Sequence, residues 1–431
     1  MTALKQSLAM PDDVAQSVIW PESYVRLEDV VLPACAWLRE NMPVGRAAID
    51  GWDPMWVFSQ HADMVEITRN QEVFHNGNFP HLPTQEYVKF YEEVAGSARS
   101  FDYPSFMDVP EHPKFRASVM PNFQPAEVRK RYEALARKLA KEAVDELMER
   151  DGECDFVNDF AKPYPLRVIL GVLGVDEDQI PRVLQLTREF FGLWDPANLR
   201  PEFRNLPDGP ARQYAVTVTE LQEWFHDLRA ERQENPADDL TTVINGLKVD
   251  GEAWPDSYAD SFLAGVAPAG HDTTSSTVAG GMLGLIRFPE QRELIKREPK
   301  LISGLVEESL RYTTPAKHFM REAVEDTVVR GVEVPAGERV MMLYTSGNRD
   351  ERVFKDPDTF DITRRPNPHL AFSHGPHICT GLHLARLEMR MLWEELLPRL
   401  GTVELATDEL AWERANLVSG LTALPIRFTK A

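Results

Sequence analysis

Cysteine is scarce in this 431-residue chain: Cys35, Cys154 and Cys379 are the 3 present, widely spaced and odd in number. They make neither a disulfide framework nor a paired Cys-x-x-Cys zinc site, and a reducing cytoplasm is the expected compartment. Bases are outnumbered, 47 Lys and Arg against 68 Asp and Glu, for a net charge of −21. That balance excludes nucleic acid as a general partner, because phosphate binding requires a basic field. No apolar run approaches a membrane span, and residues 1–24 carry acids and prolines where a signal peptide would need a basic start and an unbroken apolar segment. Repeats and low-complexity tracts are absent, as is a glycine-rich dinucleotide loop after a strand. What is there, 43% hydrophobic and 27% charged, suits a chain with a large core.

The stretch Phe372-Ser-His-Gly-Pro-His-Ile-Cys-Thr-Gly381 is a glycine-bracketed loop that opens into an amphipathic helical run over 382–400. A thiolate at a helix entrance is a metal-ligand arrangement, because a metal, backbone N–H donors and the helix N-terminus all lower the thiol pKa. Gly375 and Gly381 would let the backbone turn tightly and approach a flat ligand. An inert buried cysteine is the alternative reading of the loop by itself.

Elsewhere the pattern is mostly helical, with strands expected near 55–58 and a helix from His61. Residues 76–110 break into Gly, Pro and scattered aromatics (Phe79, Tyr87, Phe90, Tyr91, Phe101, Tyr103), either a binding lid or a surface loop. His112 and Arg116 stand at i and i+4, two donors on one helical face suited to an anion. Arg129, Lys130, Arg131, Arg137, Lys138 and Lys141 form a basic cluster, either a docking surface or a wet helix face. The longest helical pattern, about 257–288, contains Pro268, where a distortion is expected, and a small-residue stripe of Val266, Ala269, Gly270, Thr273 and Thr277. Asp272 and Thr273 place an acid and a hydroxyl beside that turn. Glu308 and Arg311 are paired on an apolar helical face, and 327–344 reads as two strands turning at 335–337.

In order and spacing these motifs resemble the cytochrome P450 family over nearly the whole chain: His112-x-x-x-Arg116, Ala269-Gly-His-Asp-Thr273, Glu308-x-x-Arg311, Phe360-x-x-x-Arg364 and Phe372-x-x-Gly375-x-His377-x-Cys379-x-Gly381. The resemblance implies one helix-rich domain over 1–431 with small β-sheets, a mainly α triangular prism, although length by itself suggests two or three domains. It implies haem b with Cys379 as the axial iron ligand. Phe372 would pack on the cysteine side, and His112, Arg116, Arg321 and His377 would meet the propionates. Gly375, Gly381, Ala269 and Gly270 would leave room for the cofactor and dioxygen. Asp272 and Thr273 would deliver protons, while Glu308, Arg311 and Arg364 form a structural charge cluster.

The sequence further resembles the bacterial, soluble, class I alpha-terpineol hydroxylase group in residues 269–276, 348–350, 360–364 and 427–431, departing from it at Pro268 and Thr380. This implies hydroxylation of a small hydrophobic substrate, a monoterpene, monoterpenoid or p-cymene-like alkylbenzene, using dioxygen. Larger or polycyclic aromatic hydrocarbons are the alternative. By position, Val266, Ala269, Thr273, Ala316 and Phe319 are pocket candidates, joined by lid aromatics and Phe190 or Leu193. Electrons would come from a [2Fe-2S] ferredoxin and its flavoprotein reductase, so NAD(P)H acts only indirectly. The cluster from Arg129, with Lys114 and Arg390, would be the landing surface, and a monomer is expected. A peroxide-driven peroxygenase is disfavoured by the acid–alcohol pair. A haem-binding sensor or carrier is disfavoured because no output domain is visible.

Overall fold

The computed structural model describes residues 8–77, 79–95 and 101–431; residues 1–7, 78 and 96–100 lie outside the described set, as do the side chains of 94 and 95. Part of the expected lid therefore falls beyond description. Helices dominate, and the sheets are small. The largest has five strands, in the order Val44–Ala47, Met55–Phe58, Arg339–Met342, Phe319–Ala323, Phe74–His75. Its second and third strands run parallel, and the other neighbours are antiparallel. A three-stranded sheet joins Leu400–Leu405, Pro425–Lys430 and Glu153–Asp155.

Buried apolar side chains fall into two clusters, one around the five-stranded sheet and one around the helices; Trp412 packs against both. The axis of the helical cluster is the helix Asp256–Arg287, 32 residues long, which at 1.5 Å per residue spans about 48 Å. Residues 274–285 are buried without a break, the mark of a helix surrounded by protein rather than lying on its surface. The helix Leu382–Leu396, directly after the cysteine loop, buries Leu384, Leu387, Met391 and Leu392 at helical spacing.

Two local expectations need correction and one is modified. The hairpin pairs Thr327–Val329 with Val332–Val334 and turns at Arg330 and Gly331, not at 335–337. Both turn residues have positive φ, 52° and 75°, the geometry a two-residue hairpin needs to match strand twist. Residues 85–95 of the irregular segment form a helix, because Tyr87 and Tyr91 bury one face at i and i+4. Pro268 is accommodated within a helix assigned continuously from Asp256 to Arg287.

Glu308 and Arg311 are fully buried, and Arg364 joins them from a partly exposed position. Arg311 donates Nη2 to Glu308 Oε1 at 2.6 Å and Nε to Oε2 at 2.8 Å, and Arg364 Nε lies 3.2 Å from Oε2. The remaining Arg311 donors reach the carbonyls of Asn348, Pro357 and Thr359. Every charge is paired, as burial demands.

Lys317 is a buried cation of another kind, also fully inaccessible, with Nζ donating to Thr313 O at 2.9 Å. Burial lowers its pKa to about 7, helped by Arg349 and opposed by Glu413 and Cys35. Between about 7 and its ordinary 10.5 the unfolded chain therefore holds a proton that the folded chain does not, and stability rises with pH across that window. Urea unfolding of the holoprotein is expected to show this rise, at most about 1.4 kcal/mol per pH unit, and Lys317→Met to flatten it. A variant profile as steep as that of the wild type would remove Lys317 as the cause.

Candidate active site

One large cavity lies between the long helix and the cysteine loop, with Val266, Ala269, Gly270 and Thr273 on one wall and Phe372, His377, Cys379 and Gly381 on another. Cys379 is accessible, and its side chain borders this cavity. Its backbone N–H donates to Phe372 O at 2.9 Å, closing the loop. The surrounding protein desolvates the thiol and raises its pKa even though the side chain is open to the cavity, while the amides of Gly381 and Leu382 and the cations Arg116 and Arg386 act in the opposite direction. The amides belong to the entrance of the helix Leu382–Leu396, so chain geometry supplies the donors an anionic sulfur needs.

The glycines divide in purpose. A Cβ on Gly381 would meet nothing within 4 Å, leaving open approach to the cavity. Gly375, in contrast, has φ +73° and would press a Cβ to 2.3 Å from Thr68 O, so its bareness serves the packing of the loop on the helix His61–Arg69 and not a flat ligand. Gly270 borders the cavity, but the space its Cβ would take belongs to Ile169, 2.8 Å away. Gly270 therefore has a packing reason as well, close approach to the helix Pro163–Leu173, beside its place on the cavity wall.

A polar cluster occupies one side of the cavity. His112 is buried with neither ring nitrogen hydrogen-bonded, and it stacks on His377 at 3.7 Å between centroids. Burial, with Arg116 nearby, lowers the pKa of His112 to about 4; burial also lowers that of His377. Asn76 Nδ2 donates to His377 Nδ1 at 3.0 Å, which leaves the Nε2–H as the ring's donor. Arg321 is 3% exposed, borders the cavity and directs Nη1 to Met320 O at 2.6 Å. Arg116 reaches Ile378 O at 2.5 Å and Thr380 Oγ1 at 3.3 Å, tying its helix Glu111–Val119 to the cysteine loop. The neighbouring acid Asp108 accepts from the amides of Asn76 and Gly77.

On the long helix, Thr273 borders the cavity and donates Oγ1 to Ala269 O at 2.8 Å. Asp272 is absent from the cavity wall among the described residues; its Oδ1 lies 3.1 Å from His271 Nδ1, and its side chain is 20% exposed. Ala316 and Phe319 border the cavity, as do Tyr87, Phe101, Tyr103, Phe190 and Leu193. Phe79, Phe90 and Tyr91 are set back from it.

Sequence reading missed Glu388, which is 3% exposed, borders the cavity and accepts from Thr274 Oγ1 at 3.1 Å. Burial raises its pKa well above the ordinary carboxyl value, and the Thr274 hydroxyl acts against that shift. The available signal was an acid inside the apolar stripe of Leu384, Leu387 and Met391. His81, Phe106 and Tyr214 were missed as well.

The family model for cytochrome P450 matches residues 102–409. The chain belongs to the cytochrome P450 family. It is 42% identical over 98% of its length to cytochrome P450-terp of a Pseudomonas species, covering 99% of that protein. It is 34% identical over 92% of its length to steroid C26-monooxygenase of Mycobacterium tuberculosis, covering 93% of that protein. The crystal structure of CYP108D1 from Novosphingobium aromaticivorans superposes with a TM-score of 0.90 at 35% identity, covering 98% of this chain and all of that one. The protein is thus a cytochrome P450 monooxygenase, of a family whose cofactor is haem b and whose electrons come from redox partners.

The residues present fit haem. A thiol supplied with amide donors faces the same cavity as His112, whose two nitrogens are buried without partners, and Arg321, most of whose donors are uncommitted. A buried donor set of this kind calls for an anionic ligand, which the two propionates provide. Arg321→Ala is expected to speed haem transfer to apomyoglobin by about 10-fold or more, the weight of one charge-assisted hydrogen bond. A transfer rate equal to that of the wild type would withdraw Arg321 from the propionate site.

Proposed function

We propose that this cytochrome P450 hydroxylates a C–H bond of a small hydrophobic substrate, a monoterpene, monoterpenoid or p-cymene-like alkylbenzene, with electrons from a [2Fe-2S] ferredoxin reduced by a flavoprotein. The observation that carries the reading is the aromatic wall of Tyr87, Phe101, Phe106, Phe190 and Tyr214 on the cavity that Cys379 enters. Such rings bind apolar carbon and exclude water. The 42% identity to cytochrome P450-terp supports it.

Bound haem supplies activation of dioxygen and insertion of one oxygen atom into the substrate. Cys379 would hold the iron through its sulfur, with His112, Arg116, Arg321 and His377 on the propionates and Phe372 shielding the thiolate. Thr273 Oγ1 would present a proton to the reacting side once it turns from Ala269 O. Asp272, off the cavity wall and partly exposed, is suited to exchange protons with solvent and recharge Thr273. Glu388, whose pKa burial raises, would add a second carboxyl group to this turn beside Thr274.

The docking reading changes in detail. Lys114 pairs with Asp250 at 2.6 Å and Arg131 with Glu127 and Asp238, while Arg137, Lys138 and Lys141 are each matched to an acid. The cluster is therefore largely neutralised along its helix, and exposed pairs of this kind are weak. Arg129, Arg386 and Arg390 share a surface hollow with His383 and Glu307, and each is likewise paired with an acid, Glu133, Glu307 and Glu394, so what sets the hollow apart is its place beside the cysteine loop. Arg386 also lies 4.7 Å over the ring of Phe372, whose carbonyl holds the Cys379 amide. A ferredoxin seated in this hollow would therefore deliver its electron next to the thiolate.

With p-cymene, limonene and α-terpineol as substrates, wild type is expected to yield alcohol, and Thr273→Ala to consume NADH while losing most of that product. Full coupling in the variant would defeat the proton role, and no product from any of the three would defeat the substrate reading. Arg129→Glu combined with Arg390→Glu should slow reduction by the ferredoxin and flatten its dependence on salt. Rates identical to wild type across a salt series would remove the hollow as the docking site.

A further inference from the structure

His81 stands in residues 79–84, between the strand Phe74–His75 and the helix Gln85–Ala95, and its backbone is pinned on both sides. Arg339 donates to Phe79 O at 2.7 Å, Met320 N–H to Pro80 O at 2.8 Å, and Leu82 N–H to His318 Nε2 at 3.1 Å. Since Nε2 of His318 accepts, its Nδ1, 2.9 Å from Asn416 O, must donate, and that ring has no capacity left for His81. The sheet thus holds the segment rigidly while the imidazole of His81 borders the cavity. There it meets the edges or faces of Phe106, Tyr214 and Tyr87, with centroids at 5.9, 6.2 and 6.3 Å.

Among the described residues no hydrogen bond engages the His81 ring. An apolar residue would fill an aromatic chamber without the cost of an unanswered polar ring, so a partner is to be expected from the ligand. Burial, with His318 and Arg339 close by, lowers the pKa of His81 to about 3. The ring is therefore neutral near pH 7, with one N–H donor and one nitrogen acceptor, the complement of a hydroxyl group. His318, Arg339 and the phenols of Tyr87 and Tyr214 are the titratable groups facing it, the first two lowering its pKa.

We propose that His81 determines specificity by hydrogen-bonding the oxygen function of an oxygenated monoterpenoid, whose hydrocarbon frame lies among Phe106, Tyr87 and Tyr214. The inference rests on the monoterpenoid reading above and narrows it: the preferred substrate already carries a hydroxyl or carbonyl before the enzyme adds its own oxygen. Recognition of this kind discriminates well, because a ligand lacking the oxygen sets apolar carbon against the half-buried ring and leaves it unpaired. The reaction that supplies the substrate must accordingly be one that has already hydrated or oxidised a terpene hydrocarbon.

The test titrates ferric holoenzyme with α-terpineol and with limonene, which share a ring frame and differ by water added across the side-chain double bond to give the tertiary hydroxyl, and reads the low- to high-spin shift. Wild type should bind α-terpineol more tightly. His81→Phe should weaken α-terpineol by about 5- to 10-fold, one hydrogen bond, and leave limonene unchanged. His81→Gln keeps a donor and an acceptor and should restore most of the preference; the haem-to-protein ratio of each variant reports its folding. Equal loss of both ligands, or loss of neither, overturns the inference while the monoterpene reading stands. A wild type that responds to neither compound overturns the monoterpene reading, and the inference with it.

Discussion

The cysteine loop depends on a buried carboxylate far from it in sequence. Residues 348–381 have little regular structure, and their course is set by Glu308 and the two arginines that answer it. Arg311 gathers the carbonyls of Asn348, Pro357 and Thr359, Arg364 adds that of Lys355, and Glu308 takes the Asp361 amide at 2.9 Å. Asn348 then accepts the Leu370 amide at 2.6 Å, two residues before Phe372. An irregular segment is thereby fixed by charge-assisted hydrogen bonds where a helix or sheet would use a backbone ladder. Stranding either charge by removing its partner costs about 3–5 kcal/mol in such settings.

The cavity has two chemically distinct sides as a result. One gathers His112, His377, Arg116 and Arg321, where both His112 nitrogens and most of the Arg321 donors have no acceptor. The other is aromatic, with His81 as a polar ring set among apolar faces. A cofactor bearing two carboxylates on a flat apolar body would satisfy the first side and leave the second for substrate. Cys379 and Thr273, from opposite walls, border the space between them.

Burial treats the two acids beside the long helix in opposite ways. Asp272 keeps some contact with solvent, whereas Glu388 is enclosed and its pKa is pushed up. Thr273 and Thr274 are adjacent on the long helix, and each bonds in a different direction, one to Ala269 O and the other to Glu388. Two acids therefore approach one turn of helix, one coupled to solvent and one isolated from it.

The family was legible in the sequence because its markers are side chains at fixed spacings: Cys379 before a helix, Glu308 with Arg311, and Asp272 with Thr273. The long helix and the cysteine helix were legible too, since burial of one face or of all faces leaves a periodic imprint. The hairpin turn was misplaced because Pro335 and Gly337 are the stronger turn letters, while Arg330 takes positive φ only under the constraint of strand pairing. The packing of Gly270 and Gly375 was decided by Ile169 and Thr68, neighbours about 100 and 300 residues away along the chain. His81 and Glu388 stayed hidden for the same reason: an isolated polar letter says nothing of whether water, a partner or a cavity will face it. Spacing along the chain determined which chemistry this protein carries. Only the tertiary structure, which alone sets burial and distance between remote segments, decided which polar groups are left waiting for a ligand.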